Sequence, residues 1–406
     1  MELQQADQYK TQLHPVLNPS TQTTTYSDSV IKPIKIASFP DIHLGHHRTV
    51  SENIVSALLE IFRDEGELAT WDLLVFPGDF FDRCLLLTDP YINRILYLIG
   101  YIFKQCAKHG IVIRWLEGTP GHDRKQTDVI HGVYKVMANL SDQFKVDFAH
   151  VTELSVEYIE SLGISMLYVP DEWNIDVMQT YDEAVNLIRQ RGWDRVDYCL
   201  LHGAFNYQIN EKLNPKSHNE ELWCNLVNYY IFSGHVHFRS QYKKILNAGS
   251  FDRLAHGEEA DKGWLTLEIT KAGEHLIKFH TNHMAIVYVT VDVRGLTSEE
   301  VFSLLEDRYK DVPRQSHIRL WVNPDDEIKE GIKTLRARYS YYHFTFKVEK
   351  KEAKPKSIKA IEERKQTIDI TRDNVRRIVE ERLVSLPGVN VSDTMRIFGK
   401  YLSEVK

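Results

Sequence analysis

Four apolar runs of strand length each end in acids or histidines, and this repetition limits the fold more than any other feature of the chain. Ile36 to Phe39 leads into Asp41-Ile-His43, and Leu73 to Phe76 into Gly78-Asp79-Phe-Phe-Asp82. Tyr198 to Leu201 leads into His202, and Tyr229 to Phe232 into Gly234-His235-Val-His237. Between the first two lies Ser51 to Phe62, with Ile54, Val55, Leu58, Leu59 and Phe62 at helical spacing. Buried strands alternating with helices describe a layered α/β fold, whose ligands collect at the carboxyl ends of the strands. On a regular strand His235 and His237 share a face, because side chains alternate with a period of two. Such a pair serves either one metal ion or an ordinary half-buried strand.

The same alternation runs along most of the chain. Pro33 to Phe39, Asp72 to Phe76 and Ile111 to Leu116 are expected strands. A long apolar helix opened by Asp89-Pro90 stops at Gly110, and another spans Asp128 to Leu140. Leu154 to Ile159 and Ile164 to Val169 predict a hairpin, and Tyr181 to Gln190 a helix before the strand ending at His202. Gln241 to Ile245, Gly263 to Ile269 and Leu276 to His280 are expected to form a second sheet edge. From Ala285 the order is strand, helix (Ser298 to Tyr309), strand, helix (Asp326 to Arg336), strand (Tyr342 to Val348), expected as a small α+β domain. The expected divisions are a polar lead over 1–30, a main domain over 31–282, the small domain over 283–349, a Lys-rich linker over 350–370 and a helical tail over 371–406.

Composition excludes some classes. With 43% hydrophobic and 26% charged residues over 406 positions, the chain is expected to bury a large core and to form more than one domain. No apolar run approaches the ~20 residues of a membrane-spanning helix, and the Gln/Thr/Ser-rich lead lacks a signal-peptide core. A cytoplasmic location is expected. Cys84, Cys106, Cys199 and Cys224 have no CxxC spacing and read as small core residues in a reducing compartment. A net charge of -7 argues against a globally basic nucleic-acid binder, so any polyanion has to be met locally.

Asp41, His43, Asp79, His202, His235 and His237 form a mixed nitrogen and oxygen donor set, which suits divalent Mn, Fe or Zn better than Ca or Mg. The count fits two ions. With Asp79 between ions ~3.5 to 4 Å apart, such a pair polarises a phosphoryl oxygen and supplies a nucleophile at neutral pH. The cations themselves then attract phosphate despite the acidic net charge.

In this order, Asp-x-His, Gly-Asp-x-x-Asp, a loop ending His-Asp, a lone His and Gly-His-x-His resemble the calcineurin-like metallophosphoesterases. Asp41-Ile-His43-Leu-Gly45, Gly78-Asp79-Phe-Phe-Asp82 and the segment from Asn247-Ala-Gly249-Ser250 through Glu258-Glu259 to Lys262-Gly263-Trp264 are similar to the Mre11/SbcD DNA repair nucleases, a group that includes phage recombination subunits. The resemblance runs from Ile34 to about Ile269. It implies a four-layer α/β/β/α core with a smaller α+β capping domain and C-terminal helices. It further implies a Mn2+-dependent 3' to 5' exonuclease and endonuclease, with Mg2+, Fe2+ or Zn2+ as other candidate ions.

By the same resemblance one ion belongs to Asp41, His43, Asp79 and His237, and the other to Asp79, His202 and His235. The family's second ion also takes an Asn in a Gly-Asn-His-Asp loop. Here that loop reads Thr119-Pro120-Gly121-His122-Asp123, so Gly121 stands where the Asn is expected, and water, a backbone carbonyl or Thr119 has to fill the gap. His122 is implied to orient the phosphate and assist the leaving 3'-oxygen as general acid. Asp123 is implied to hold the His122 tautomer. The implied partners are DNA ends, hairpins and single strands, a Rad50/SbcC-type ATPase with a coiled coil, and a second copy of the chain within a heterotetramer. If the chain is phage-encoded, the cytoplasm is the host's.

Other residues carry more than one meaning. Asp82 either supports a ligand or caps the following turn, and His46 and His47 are expected in solvent or facing DNA. Arg48, Arg124, Lys125, Arg239, Lys243 and Lys244 lie near the expected strand ends and are candidate contacts to a DNA backbone, or plain surface charges. The helix from Tyr91 to His109 belongs either to a dimer interface or to the interior. Two rival functions use the same residues: a catalytically weak subunit that binds DNA ends and recruits the ATPase, and a phosphatase or cyclic-nucleotide phosphodiesterase.

Overall fold

The strand faces sort the apolar residues into three cores stacked across two sheets. In the computed structural model, which describes residues 33–123, 126–209, 216–349, 375–384 and 390–404, the elements follow in order. They are β1 (Ile34–Ser38), α1 (Ser51–Ile61), α2 (Glu65–Leu68), β2 (Leu73–Pro77), α3 (Ile92–His109), β3 (Val112–Leu116), α4 (Asp128–Leu140) and β4 (Phe148–Val151). Next come β5 (Ser155–Ile159), β6 (Ile164–Val169), α5 (Val177–Gln190), β7 (Val196–His202), α6 (Glu220–Cys224), β8 (Val227–Gly234), β9 (Ser240–Tyr242) and β10 (Ile245–Asn247). The first unit closes with β11 (Gly263–Ile269), β12 (His275–Thr281), β13 (Tyr288–Asp292), α7 (Ser298–Tyr309), β14 (His317–Val322), α8 (Ile332–Arg338) and β15 (His343–Val348).

The fold is mixed α/β with two large mixed sheets. One sheet has the order β12-β11-β1-β2-β3-β4 and the other β5-β6-β7-β8-β10-β9. In the first, β1 to β4 run parallel while β11 and β12 pair antiparallel at one edge. In the second, β6, β7, β8 and β10 are parallel between two antiparallel edge strands. Period-two alternation assigns each strand two cores. Leu73 and Val75 of β2 join Tyr198 and Leu200 of β7 in one cluster. Leu74 and Phe76 pack instead with Leu58, Ile99 and Ile130 of α1, α3 and α4, and Cys199 and Leu201 with Ala184, Ile188 and Trp223 of α5 and α6. The parallel strands point their carboxyl ends, and the loops that follow them, the same way.

Several expectations change. β11 and β12 belong to the first sheet, whereas β9 and β10 edge the second, because strand partners are set by tertiary register that alternation along one segment does not report. The expected strand Gln241 to Ile245 is two short strands reversed at Lys243, which has a positive φ of 47°. The expected helix Asp326 to Arg336 is a 3-10 turn (Glu327–Lys329) and then α8, interrupted at Gly331. The third sheet, β13-β14-β15, is wholly parallel with helical connections, so this region is β-α-β-α-β and not α+β. Its core is its own, from Val291, Ile318, Leu320, Leu335 and Phe344. Cys84 is exposed while the other three cysteines are buried. Helix α3 buries Ile95, Leu98, Ile99 and Ile102 along one face, leaves Tyr97 exposed, and ends at Gly110 in the left-handed region.

Contacts divide the chain into units Met1–Glu349 and Lys350–Lys406. In the second, α9 (Val375–Val384) and α10 (Val391–Glu404) are helical, as expected of the tail. The polar lead, the 350–370 linker, Arg124, Lys125 and the separating Pro387-Gly388 lie outside the described residues. No described helix is long and apolar enough to cross a membrane.

Candidate metal centre

The loops after β1 and β2 run side by side, with His43 N–H donating to the Asp79 carbonyl (3.0 Å) and Leu44 N–H to that of Phe80 (2.9 Å). Their turns are sharp. Of seven described non-glycine residues with positive φ, four are Asp41 (49°), His43 (53°), Asp79 (50°) and His235 (91°). Such conformations cost of order 1 kcal/mol each and concentrate where geometry is functional. His235 lies just past the end of β8, so it leaves the strand period and points apart from His237. Two glycines let the loops close up. A Cβ on Gly78 (φ 87°) would stand 2.3 Å from His202 Nδ1, and one on Gly234 would stand 2.3 Å from the Pro77 carbonyl.

Around this point the structure gathers every expected metal ligand. Asp41, His43 and His237 offer donor atoms within 4.8 Å of one another; so do Asp79, His202 and His235, and also His43, Asp79 and His122. Asp41, His43, Asp79 and His202 are at most 2% exposed. Asp41 Oδ1 accepts the His235 N–H (2.8 Å), while its buried Oδ2 has no hydrogen-bond partner. Asp79 Oδ2 lies 3.3 Å from His202 Nε2 and 3.8 Å from His43 Nε2, placing one carboxylate oxygen between the two sets.

Hydrogen bonds on the far ring nitrogens fix which atoms face inward. His43 Nδ1 is 3.1 Å from Asp82 Oδ1, and His202 Nδ1 is 2.5 Å from the Pro77 carbonyl. Each Nδ1–H donates outward, which leaves the Nε2 lone pair toward the centre. His237 Nδ1 faces Glu258 Oε1 at 3.5 Å, and its Nε2 stands 3.1 Å from His43 Nε2. At that distance one Nε2–H can donate to the other ring, or both lone pairs can face a shared cation. Donors ~2.0–2.2 Å from one ion stand roughly 2.8–3.6 Å apart, and this spacing fits. Electrostatics agree: against the effect of burial, His202 and His43 hold the Asp79 carboxyl well below the usual range, and Asp79 raises His202. The buried Asp/His groups are therefore able to hold metal ions, and they fit a metal-dependent enzyme.

The loop after β3 differs from expectation. Asp123, fully buried, accepts the N–H groups of Phe81 (2.9 Å) and Gly118 (2.7 Å) and does not orient His122. Instead His122 Nδ1 is 2.9 Å from the Asp82 carbonyl. Burial and the nearby Asp79 push Asp123 up to about 7. Asp82 does not merely cap a turn, since its carboxylate backs His43. His46 Nδ1 accepts the N–H of Thr49 (3.0 Å), so the neutral ring carries its proton on Nε2 and organises its own loop. His46, His47 and Asp82 are close enough for a metal, but this tautomer turns a proton toward it.

The expected DNA contacts separate into two kinds. Arg48 is exposed. Arg239 stacks on Phe279 at 4.1 Å. Lys243 pairs with Glu221 (2.6 Å), and Lys244 donates to the Val227 carbonyl (2.6 Å), so both cations are satisfied internally. Sequence reasoning gave no role to Glu258 and Lys262. Lys262 Nζ donates to Glu258 (2.6 Å), to the His237 carbonyl (2.8 Å) and to Ser250 Oγ (2.9 Å). Their spacing of four residues was the available signal.

Fold and site together define a mixed α/β protein with a buried Asp/His cluster able to hold metal ions. Neither a protein-family model nor a curated protein sequence matches the chain. Among solved structures, TT1561 of Thermus thermophilus is 7% identical with a TM-score of 0.37, over 61% of this chain and 99% of that one. Another crystal structure is 13% identical with a TM-score of 0.38, over the same shares. Likeness at this level supports no conclusion about fold or function.

Proposed function

We propose that the protein is a two-metal phosphodiesterase of the calcineurin-like class, acting on nucleic-acid strands in the manner of the Mre11/SbcD nucleases. The observation that carries this reading is the pair of donor sets meeting at Asp79, with four of the seven described non-glycine positive-φ residues, Asp41, His43, Asp79 and His235, gathered at the same point. Asp41, His43, Asp79 and His237 would hold one ion, and Asp79, His202 and His235 the other. When bound, such ions supply Lewis acidity toward a phosphoryl oxygen and a nucleophile at neutral pH. The mixed donors suit Mn2+, Fe2+ or Zn2+, and the resemblance to the Mre11/SbcD nucleases favours Mn2+ among them. The three stacked cores support the four-layer α/β/β/α arrangement of that class.

His122 is the proton donor in this reading. Its Nδ1–H is committed to the Asp82 carbonyl, so Nε2 is the atom that receives or delivers a proton at the leaving oxygen. It is partly exposed, unlike the ligand imidazoles His43 and His202. A polyanionic substrate is supported by a cavity of about 490 Å3 lined by Arg48, Arg336, His317 and His343 with no carboxylate. The cavity joins the third sheet to the loop that carries His43. On this reading the third sheet caps the substrate groove, and the tail helices dock a Rad50/SbcC-type ATPase in an assembly built on a homodimer.

The decisive experiment incubates purified protein and Mn2+ with a chromogenic phosphodiester and with labelled single- and double-stranded DNA. Hydrolysis of DNA is expected, with His122→Ala lowering kcat by about 100-fold or more while metal content stays at two ions. No hydrolysis of either substrate, with Mn2+, Mg2+, Fe2+ or Zn2+, would reject the reading. If ions and DNA still bind, the outcome is the structural-subunit alternative.

A further inference from the structure

The second donor set contains a fourth oxygen. Thr119 Oγ1 stands 3.2 Å from Asp79 Oδ2, 3.2 Å from His202 Nε2 and 3.4 Å from His235 Nδ1. With the 3.3 Å between Asp79 Oδ2 and His202 Nε2, four of the edges linking these atoms are nearly equal. They fall within the roughly 2.8–3.6 Å expected between donors around one ion, toward its tetrahedral end. An oxygen lying at the ion's own position would be ~2 Å from each partner. The hydroxyl is therefore a corner of the polyhedron and does not fill its centre.

Gly121, where a carboxamide was expected, is placed differently. A Cβ built on it meets no atom within 4 Å, so it touches none of Asp79, His202 or His235 directly. Thr119 reaches the set because its own N–H donates to Asp79 Oδ1 at 2.6 Å, and this bond fixes the backbone from which the hydroxyl projects.

We propose that Thr119 Oγ1 is the fourth protein ligand of the second ion, giving that site two imidazoles, one shared carboxylate and one hydroxyl. The proposal rests on the two-ion reading and deepens it. A neutral hydroxyl takes less negative charge to the ion than a carboxylate. Hence the second ion binds more weakly than the first and responds selectively to changes at Thr119.

Calorimetric titration of metal-free, full-length protein with Mn2+ tests this without any activity measurement. Wild type is expected to bind two ions in separable steps. Thr119→Val, which keeps the shape and removes the hydroxyl, should weaken one step by at least about tenfold and leave the other unchanged. Thr119→Ser should restore it. Circular dichroism reports folding, and Thr119→Ala replaces the valine variant if that one does not fold. Unchanged binding of both ions would overturn the proposal. So would equal weakening of both, because that is what loss of a hydrogen bond onto the shared Asp79 produces. Failure to hydrolyse DNA would instead reject the phosphodiesterase reading and leave the ion count untouched.

Discussion

The two halves of the centre are braced by different chemistry. On one side His43 is backed by the carboxylate of Asp82 and His237 by that of Glu258, itself neutralised by buried Lys262. On the other, His202 leans on a backbone carbonyl, Asp171 Oδ2 stands 3.7 Å from His235 Nδ1, and the corner proposed for Thr119 is a neutral hydroxyl. A carboxylate behind an imidazole makes the ring more basic and anchors its tautomer, whereas a carbonyl only anchors it. On the proposed two-ion reading, the first half would retain its ion more tightly and the second would exchange its ion more readily.

The largest disturbance should come at the residue both halves share. Asp79→Ala is expected to weaken both ions by more than about a hundredfold, measured as metal retained after dialysis. Loss of only one ion would break the picture of a shared carboxylate. A smaller and one-sided effect is expected from the braces. Glu258→Gln and Asp82→Asn should each weaken the first half by about ten- to hundredfold with the second step of a Mn2+ titration unmoved. Equal effects on both steps would erase the contrast.

A separate effect, on stability rather than ion binding, concerns a carboxylate with no imidazole beside it. Asp252 is fully buried. Its Oδ1 accepts the N–H groups of Arg253 and Ile286, and its Oδ2 has no hydrogen-bond partner. Burial pushes it up to about 7, the reverse of Asp79. A carboxyl raised on folding contributes stability below its unfolded value near 3.8, and that contribution is lost as pH climbs toward 7. Thermal melts of chelator-treated protein between pH 4 and 8 should therefore show wild type losing about 1–3 kcal/mol relative to Asp252→Asn. Parallel curves would show that Asp252 is ionised throughout.

The sequence reveals the donors more fully than their supports. Apolar runs announce strands because burial on both faces demands them, and the residues just past each run were the ones brought together. Helices Asp128–Leu140 and Ser298–Tyr309 match their expected bounds, since each carries a local stop or start signal such as the Thr297–Glu300 capping box. What stayed hidden depends on distance in the chain. Nothing along the segment tells that Asp82 turns toward His43, that Lys243 meets Glu221, or that Asp123 answers backbone amides in place of His122. The antiparallel β11 and β12 were read as strands but assigned to the wrong neighbours for the same reason. Thr119 was one of three ways to fill the gap left by Gly121, and the structure places its hydroxyl beside Asp79, His202 and His235.

The donors of the centre come from the ends of β1 and β2 in one sheet and of β7 and β8 in the other. On the proposed reading, an ion shared by Asp41 and His237 would fasten the two sheets together and close a loop of roughly 200 residues within the first unit. Closing so long a loop restricts the unfolded chain, much as a covalent cross-link does, yet a chelator can undo it. The centre would then act as a removable clasp between the sheets, and amide exchange at the carboxyl ends of these four strands would gauge how much ion is bound.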